Sequence, residues 1–325
     1  MEKGHQKRGF TSWELHQYCL HRTSLVCAKH QGRIAAAKQG RKASVTKDHH
    51  IERESSAIAR TGQPNTRETL ANDLRALGVA SGMTLLVHAS LSALGWAAGG
   101  PVAVIQALMD ILTPQGTLVM PAHSTGNSDP AGWSHPPVPE AWWPVIRAQS
   151  PAFDPAITPT RGVGRIAEAF RTWPGTVRSE HPQSSFSAWG RDAQHIISGH
   201  SLEFSLGETS PLARIYDRDG WVLLLGVGHD SNTSFHLSEY RAGLSPEQEA
   251  GAAVLEDGQR VWKQFRDIAW DDETFPEIGM DFEATGAVTV GKVGAGRAHL
   301  FRQRLAVDFA ERWLRKRSER SPQRG

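Results

Sequence analysis

Thr233, His236 and Glu239 recur at intervals of three within Gly228-His229-Asp230-Ser231-Asn232-Thr233-Ser234-Phe235-His236-Leu237-Ser238-Glu239. On a helix this spacing stacks a hydroxyl, an imidazole and a carboxylate along one face. Histidine accepts a proton near neutral pH and a carboxylate commonly fixes its tautomer, so the set suits general-base chemistry. Asp230, Ser231 and Asn232 are all good N-cap residues after the Gly226-Val227-Gly228 turn. That places the set at a helix N-terminus, where first-turn N–H groups can stabilise an oxyanion. Spacing alone is equally compatible with His236 as a core contact and Glu239 as a solvated surface residue.

A second segment, His88-Ala89-Ser90-Leu91-Ser92-Ala93-Leu94-Gly95 followed by Gly99-Gly100, is a loop of small residues. It lets a phosphate or a pantetheine chain approach backbone N–H groups, or it is an ordinary glycine-rich connection. It has neither the Gly-Lys-Ser/Thr of a P-loop nor the spacing of a dinucleotide fingerprint. Ser90 lacks the Gly-x-Ser-x-Gly setting of an esterase nucleophile. His181-Pro182-Gln183-Ser184-Ser185-Phe186, preceded by Arg178, is a polar turn that either contacts a ligand or is structural. His123, His135, His195 and His200 show no metal-ligand spacing, and no metal is expected. Both cysteines, Cys19 and Cys27, precede residue 30. The rest of the chain thus excludes a disulfide framework, a cysteine-based zinc site and a cysteine nucleophile. Acyl transfer here uses another nucleophile or passes directly from donor to acceptor.

The elements that must position these groups read as alternating helices and strands. A helix follows Asn65-Thr66, with Leu70, Leu74 and Leu77 on one side and Gly78 at its end. Thr84–Val87 is a buried strand leading into His88. Pro101 opens a helix carrying Val104, Leu108 and Leu112, and Thr117–Pro121 is a strand stopped by proline. Residues 122–160, rich in Pro, Trp, Ser and Asp, read as a long irregular lid or binding loop with Trp133, Trp142 and Trp143. A helix over Gly164–Arg171 ends before Pro174-Gly175; Trp221–Leu225 is a strand, and Asn232–Ala242 a helix. The alternation implies a layered α/β sheet, in which ligands bind beyond the carboxyl ends of strands. His88 and the segment His229–His236 both fall at such ends.

The chain has 325 residues, 39% hydrophobic and 22% charged, which is ordinary globular usage and predicts a packed core. No apolar run reaches the ~18 residues of a membrane span, and no secretory h-region opens the chain, so a cytoplasmic protein without a membrane role is expected. Residues 1–65 carry twelve Lys/Arg against five Asp/Glu; with +2 for the whole chain, the remainder is net acidic and suits a cationic substrate. Residues 1–64 read as a basic, disordered extension, 65–318 as the folded domain and 319–325 as a tail. The extension carries no recognisable nucleic-acid-binding motif, so no nucleic-acid partner is expected. Oligomeric state is not legible.

These segments resemble the aminoglycoside 3-N-acetyltransferase family, over about residues 67–315. In order, the motifs are Val87-His88-Ala89-Ser90-Leu91 with Gly95 and Gly99-Gly100; Gly116–Pro121; Phe153-Asp154-Pro155 with Thr158-Pro159-Thr160; Phe170-Arg171; Pro174-Gly175; Arg178-Ser179 with His181-Pro182, then Ser185-Phe186 and Gly190; Gly207-Glu208 with Ser210-Pro211-Leu212; and Leu223–Gly226 with Asn232–Glu239. The resemblance implies a three-layer α/β/α fold around a mixed sheet, distinct from the GNAT acetyltransferase fold. It implies acetyl-CoA as donor and the 3-amino group of a 2-deoxystreptamine aminoglycoside as acceptor, hence antibiotic resistance. The family histidine corresponds to His236 and its preceding threonine to Thr233. The acyl donor would run along His88, Ser90, Leu91, Ser92 and Gly95, and Asp230, Asn232, His181 and Glu208 are the candidate acceptor contacts. The family's glutamate falls after the helix, in the Pro246–Leu255 region, where Glu249 is nearest; Glu239 is the in-helix alternative. An acetyltransferase acting on a different small amine is the competing reading, its difference lying in the 122–160 loop.

Overall fold

The computed structural model describes residues 51–52 and 54–320. Cys19, Cys27, most of the basic extension and residues 321–325 of the tail lie outside the described residues. In chain order the elements are α1 (Arg67–Leu77), β1 (Thr84–Ala89), α2 (Pro101–Leu112), β2 (Thr117–Pro121), α3 (Trp143–Gln149), α4 (Gly164–Arg171), β3 (Val177–Arg178), β4 (Phe186–Gly190) and α5 (Ala193–Ile197). There follow α6 (Pro211–Asp217), β5 (Trp221–Leu225), α7 (Ser234–Ala242), β6 (Glu247–Glu256), β7 (Gln259–Ile268), α8 (Phe275–Glu283), β8 (Val288–Val293), β9 (Gly296–Arg302) and α9 (Gln303–Arg320).

Seven strands form one mixed sheet in the order β3-β4-β2-β1-β5-β9-β8, parallel through β2-β1-β5 and antiparallel outside it. Successive residues of a strand face opposite sides. Leu85, Val87, Leu223 and Leu225 accordingly enter one core with α1, α2 and α4. Leu86, Val222 and Leu224 enter a second with α5 through α9. Both faces are covered, which is the three-layer α/β/α arrangement expected. It also explains why β5 reads as an unbroken apolar run rather than an alternating one.

The helix limits follow local chemistry. Thr66 and Thr69 cap the start of α1 reciprocally, each hydroxyl accepting from the other's backbone N–H at 3.2 and 2.8 Å. Gly78 closes α1 at φ 110°. Residues 54–64, assigned by sequence to the extension, contact the domain: Ala57 is buried, and Thr61 Oγ1 accepts from Trp96 N–H at 2.8 Å. Those contacts involve small residues that leave no periodic signal. The 122–160 segment contains α3, whose residues are all at least partly exposed, so no buried stripe marks it in the sequence. Phe153 N–H donates to Ala253 O at 2.8 Å and Arg260 Nε to Ser150 O at 2.8 Å, fastening this segment to the separate β6–β7 hairpin. No described helix is long and apolar enough to cross a membrane.

Candidate active site

The parallel pairing of β1 with β5 sets His88 opposite Leu224 and Ala89 opposite Leu225, so the chain leaves both strands at the same edge. Beyond β5, Gly226 takes φ 69°, and a Cβ there would lie 2.7 Å from Ala93 Cβ. Only glycine lets the two loops meet so closely. A short 3-10 turn at His229–Ser231 follows, and then α7. The cap differs from expectation: Thr233 is the N-cap residue and makes no capping bond, while Asn232 Oδ1 accepts from Ser234 N–H at 3.2 Å.

His236 is buried at the first turn of α7, between Phe275 (ring centroids 4.9 Å apart) and Trp270 (5.2 Å). Its Nδ1–H donates to Glu239 Oε2 at 2.6 Å. Glu239 is 3% exposed, and its other oxygen accepts from Asp271 N–H at 2.7 Å. With Nδ1 protonated against a carboxylate, the lone pair resides on Nε2, which has no hydrogen bond to a described residue. Thr233 Oγ1 lies 3.3 Å from His88 Nε2. Burial, reinforced by the nearby His236, pushes the His88 imidazole down to about 3. Near neutral pH it therefore lends Thr233 a hydrogen bond rather than a charge.

The His88–Gly95 loop is partly self-satisfied. Ser90 N–H donates to Leu225 O at 3.0 Å, and Ser90 and Ser92 hydroxyls pair at 3.2 Å. Ala93 and Leu94 N–H groups return to Ser90 and Leu91 carbonyls, so the N–H groups of Leu91 and Ser92 have no acceptor among the described residues. Gly95 packs closely on the preceding segment: a Cβ there would lie 2.5 Å from Thr61 Oγ1. The start of α4 packs on the end of β1, a Cβ on Gly164 falling 3.5 Å from Ala89 O. A cavity of about 490 Å³ opens there, lined by Pro101 at the start of α2, by Thr160, Gly162, Gly164 and Arg165, and by Glu168, whose carboxylate is paired with Arg171 at 2.6 Å. The α4 N-terminus has no side-chain cap, and such N–H groups with an adjacent guanidinium favour an anion.

Not every expected residue joins the site. Glu249 is exposed on β6, opposite Arg266, and the carboxylate on His236 is Glu239 instead. The i,i+3 spacing on a single helix turn is what decides this. His181 is fully buried with both nitrogens engaged: Nδ1 accepts from Gln183 and Ser184 N–H groups at 3.1 and 2.9 Å, and Nε2 faces Leu202 O at 3.2 Å. It closes its own turn and has no hydrogen bond to spare. Glu208 is exposed and paired with Arg241 of α7 at 2.7 Å. Asp230 is exposed, whereas Asn232 is fully buried with its Nδ2 lacking an acceptor.

Sequence reasoning missed His123, Arg165 and Trp270. His123 lies two residues past the end of β2, at the same edge of the sheet as His88 near the end of the parallel β1, and that position was the available signal. Its Nε2 is buried without a partner, and burial together with His236 and His88 pushes it down to about 3. Gly162-Val163-Gly164 ahead of α4 was the signal for Arg165. Trp270 follows the β6–β7 hairpin, whose placement beside α7 leaves no local pattern. Among the described residues no group of His, Cys, Asp or Glu is arranged to hold a metal.

Residues 86–315 match the family model described as aminoglycoside 3-N-acetyltransferase. The chain is 49% identical over 258 residues, 79% of this chain and 95% of the relative, to the SPbeta prophage-derived aminoglycoside N(3')-acetyltransferase-like protein YokD of Bacillus subtilis (strain 168). It is 37% identical over 283 residues to aminoglycoside N(3)-acetyltransferase VII of Streptomyces paromomycinus, covering 82% of this chain and 97% of that one. The YokD crystal structure superposes with TM-score 0.81 at 47% identity, covering 82% of this chain and 99% of that chain. AAC-IIIb solved as a binary complex with CoASH superposes at 0.70 and 31% identity, covering 78% and 98%. A variant of AAC(3)-IVa in complex with a gentamicin superposes at 0.67 and 32% identity, covering 78% and 90%. With the imidazole–carboxylate pair at the strand ends and this match along the whole domain, the chain belongs to the aminoglycoside 3-N-acetyltransferase family of N-acetyltransferases.

Proposed function

We propose that the protein transfers the acetyl group of acetyl-CoA directly to the 3-amino group of a 2-deoxystreptamine aminoglycoside, and so confers resistance to it. The observation that carries the mechanism is the 2.6 Å bond from His236 Nδ1–H to a buried Glu239 that is itself held by Asp271 N–H. It directs the basic lone pair to Nε2. His236 removes a proton from the substrate ammonium, and the free amine attacks the thioester carbonyl carbon. The carbonyl electrons move to oxygen, where the free N–H groups of Leu91 and Ser92 and the Thr233 hydroxyl are the available donors. Collapse breaks the carbon–sulfur bond and the departing thiolate takes the proton from His236; the new amide nitrogen then gives up its second proton to the regenerated His236 Nε2, which passes it to solvent. Glu239 stabilises the intervening imidazolium. In the cavity beside α4, the uncapped N-terminus and Arg165 suit the donor's phosphates, the Glu168 charge there being offset by Arg171. Asp271, Asp272 and Glu273, exposed next to Trp270, suit a polycationic acceptor.

The test is release of CoASH from acetyl-CoA by the full chain, with aminoglycosides that carry or lack a free 3-amino group. Thiol release confined to the first set, and a loss of ~100-fold or more in His236→Ala, is the expected result. Turnover of His236→Ala within a few-fold of wild type refutes the general base. No acetylation of any aminoglycoside transfers the reading to a different small amine.

A further inference from the structure

Trp270 is 40% exposed, yet its orientation is fixed. Its indole Nε1–H donates to Tyr240 Oη at 2.9 Å, and Tyr240 Oη in turn donates to Asp267 Oδ1. Asp267 is 3% exposed and also accepts from Ser205 Oγ at 2.7 Å and Ile268 N–H at 2.9 Å. A carboxylate only accepts, so the Tyr240 proton must point to it, which leaves the phenol oxygen to accept from the indole. Burial, followed by Asp267, pushes the Tyr240 hydroxyl well up, so it stays protonated. The next residue, Asp271, is tied by its backbone to Glu239. Trp270 is thus held by side chain and adjoining backbone to the helix that carries His236, with its ring 5.2 Å from the imidazole.

Along α7, Thr233 meets His88 of the proposed donor loop at one end, while Tyr240 holds Trp270 toward the other. At 1.5 Å per residue these positions are about 10 Å apart, and His236 lies between them. The face opposite the acyl donor is where the amine must arrive. We infer that Trp270 is an acceptor-recognition residue, whose indole takes the ammonium-bearing sugar ring, and that Tyr240 and Asp267 are positioning residues that hold it beside His236. This rests on the proposed transfer to a polycationic amine.

The experiment is a kinetic cycle on the full chain with acetyl-CoA and a 2-deoxystreptamine aminoglycoside. Trp270→Leu keeps an apolar side chain but removes the π face, and is expected to raise the acceptor KM roughly five- to thirty-fold. The KM for acetyl-CoA is expected to stay within about twofold. Tyr240→Phe raises the acceptor KM by a smaller factor in the wild-type background and not in Trp270→Phe, where no indole N–H remains to be held. Equal effects of Tyr240→Phe in both backgrounds overturn the positioning role. An unchanged acceptor KM in Trp270→Leu, or parallel rises for donor and acceptor, overturns the recognition role. Wild type inactive on every aminoglycoside refutes the proposed function itself; active wild type with no coupling in the cycle refutes this inference alone.

Discussion

Replacing Glu239 by glutamine changes one oxygen to NH2 at a site where two donors converge. His236 Nδ1–H needs an acceptor on one side of the carboxylate and Asp271 N–H on the other, at 2.6 and 2.7 Å. Glutamine offers a single acceptor oxygen. If that oxygen faces Asp271, the amide NH2 faces His236 and forces the tautomer with its proton on Nε2, which removes the base. If the oxygen faces His236, the Asp271 N–H is left against NH2 in a nearly closed site, at a cost of about 1–3 kcal/mol. Either arrangement also removes the charge that stabilises the imidazolium. A tautomer penalty of that size, with the lost charge added, predicts a kcat reduced about 10²- to 10⁴-fold. KM for both substrates is expected to stay near wild type, because Glu239 contacts neither. The assay is CoASH release at saturating acceptor, with circular dichroism to establish folding. Glu249→Gln is the control, expected to match wild type because that side chain is exposed on β6. A folded Glu239→Gln enzyme with kcat within about threefold of wild type refutes the reasoning.

Acid should destabilise the fold early. Burial pushes His88 and His123 down to about 3, His181 to about 4 and His200 well below the ordinary 6.5. Their folded values are depressed, so the unfolded chain binds more protons below about pH 6.5. The stability from keeping them neutral is fully present above that pH and is lost as pH falls toward 3–4. At pH 5.5 His88, His123 and His181 each contribute a loss somewhat over 1 kcal/mol, roughly 4 kcal/mol for the three, and His200 acts in the same direction, against a typical total of about 5–15 kcal/mol. Tm is expected to fall steeply between pH 7 and 5.5; a flat Tm down to pH 4.5 contradicts this. Gly279→Ala would drive a Cβ into the His229 ring, which is stacked between Phe235 and Phe301. A loss of about 2–3 kcal/mol is expected in urea unfolding, and an unchanged midpoint contradicts the packing. Thr66→Ala removes one half of the α1 capping box and is expected to cost about 1 kcal/mol in the same measurement.

The local part of the site is legible in residue order. Three residues at helical spacing set Thr233, His236 and Glu239 on one helix face whatever surrounds them, because the 3.6-residue repeat is a property of the backbone. Strand and helix limits at Thr66, Gly78, Pro101 and Pro121 were legible for the same reason: caps and prolines act within a turn. Spacing could not decide whether His236 was base or core. The fold adds Asp271 reaching Glu239 and Trp270 and Phe275 flanking the ring, contacts between segments about thirty to forty residues apart that support the proposed base. The choice between Glu239 and Glu249, the engagement of both His181 nitrogens and the approach of His123 and Arg165 likewise depended on sheet order and loop packing. A hydrogen bond depends on tenths of an ångström between distant parts of the chain. Residue type and periodicity report which face a side chain takes, and the packed fold alone settles what it meets there.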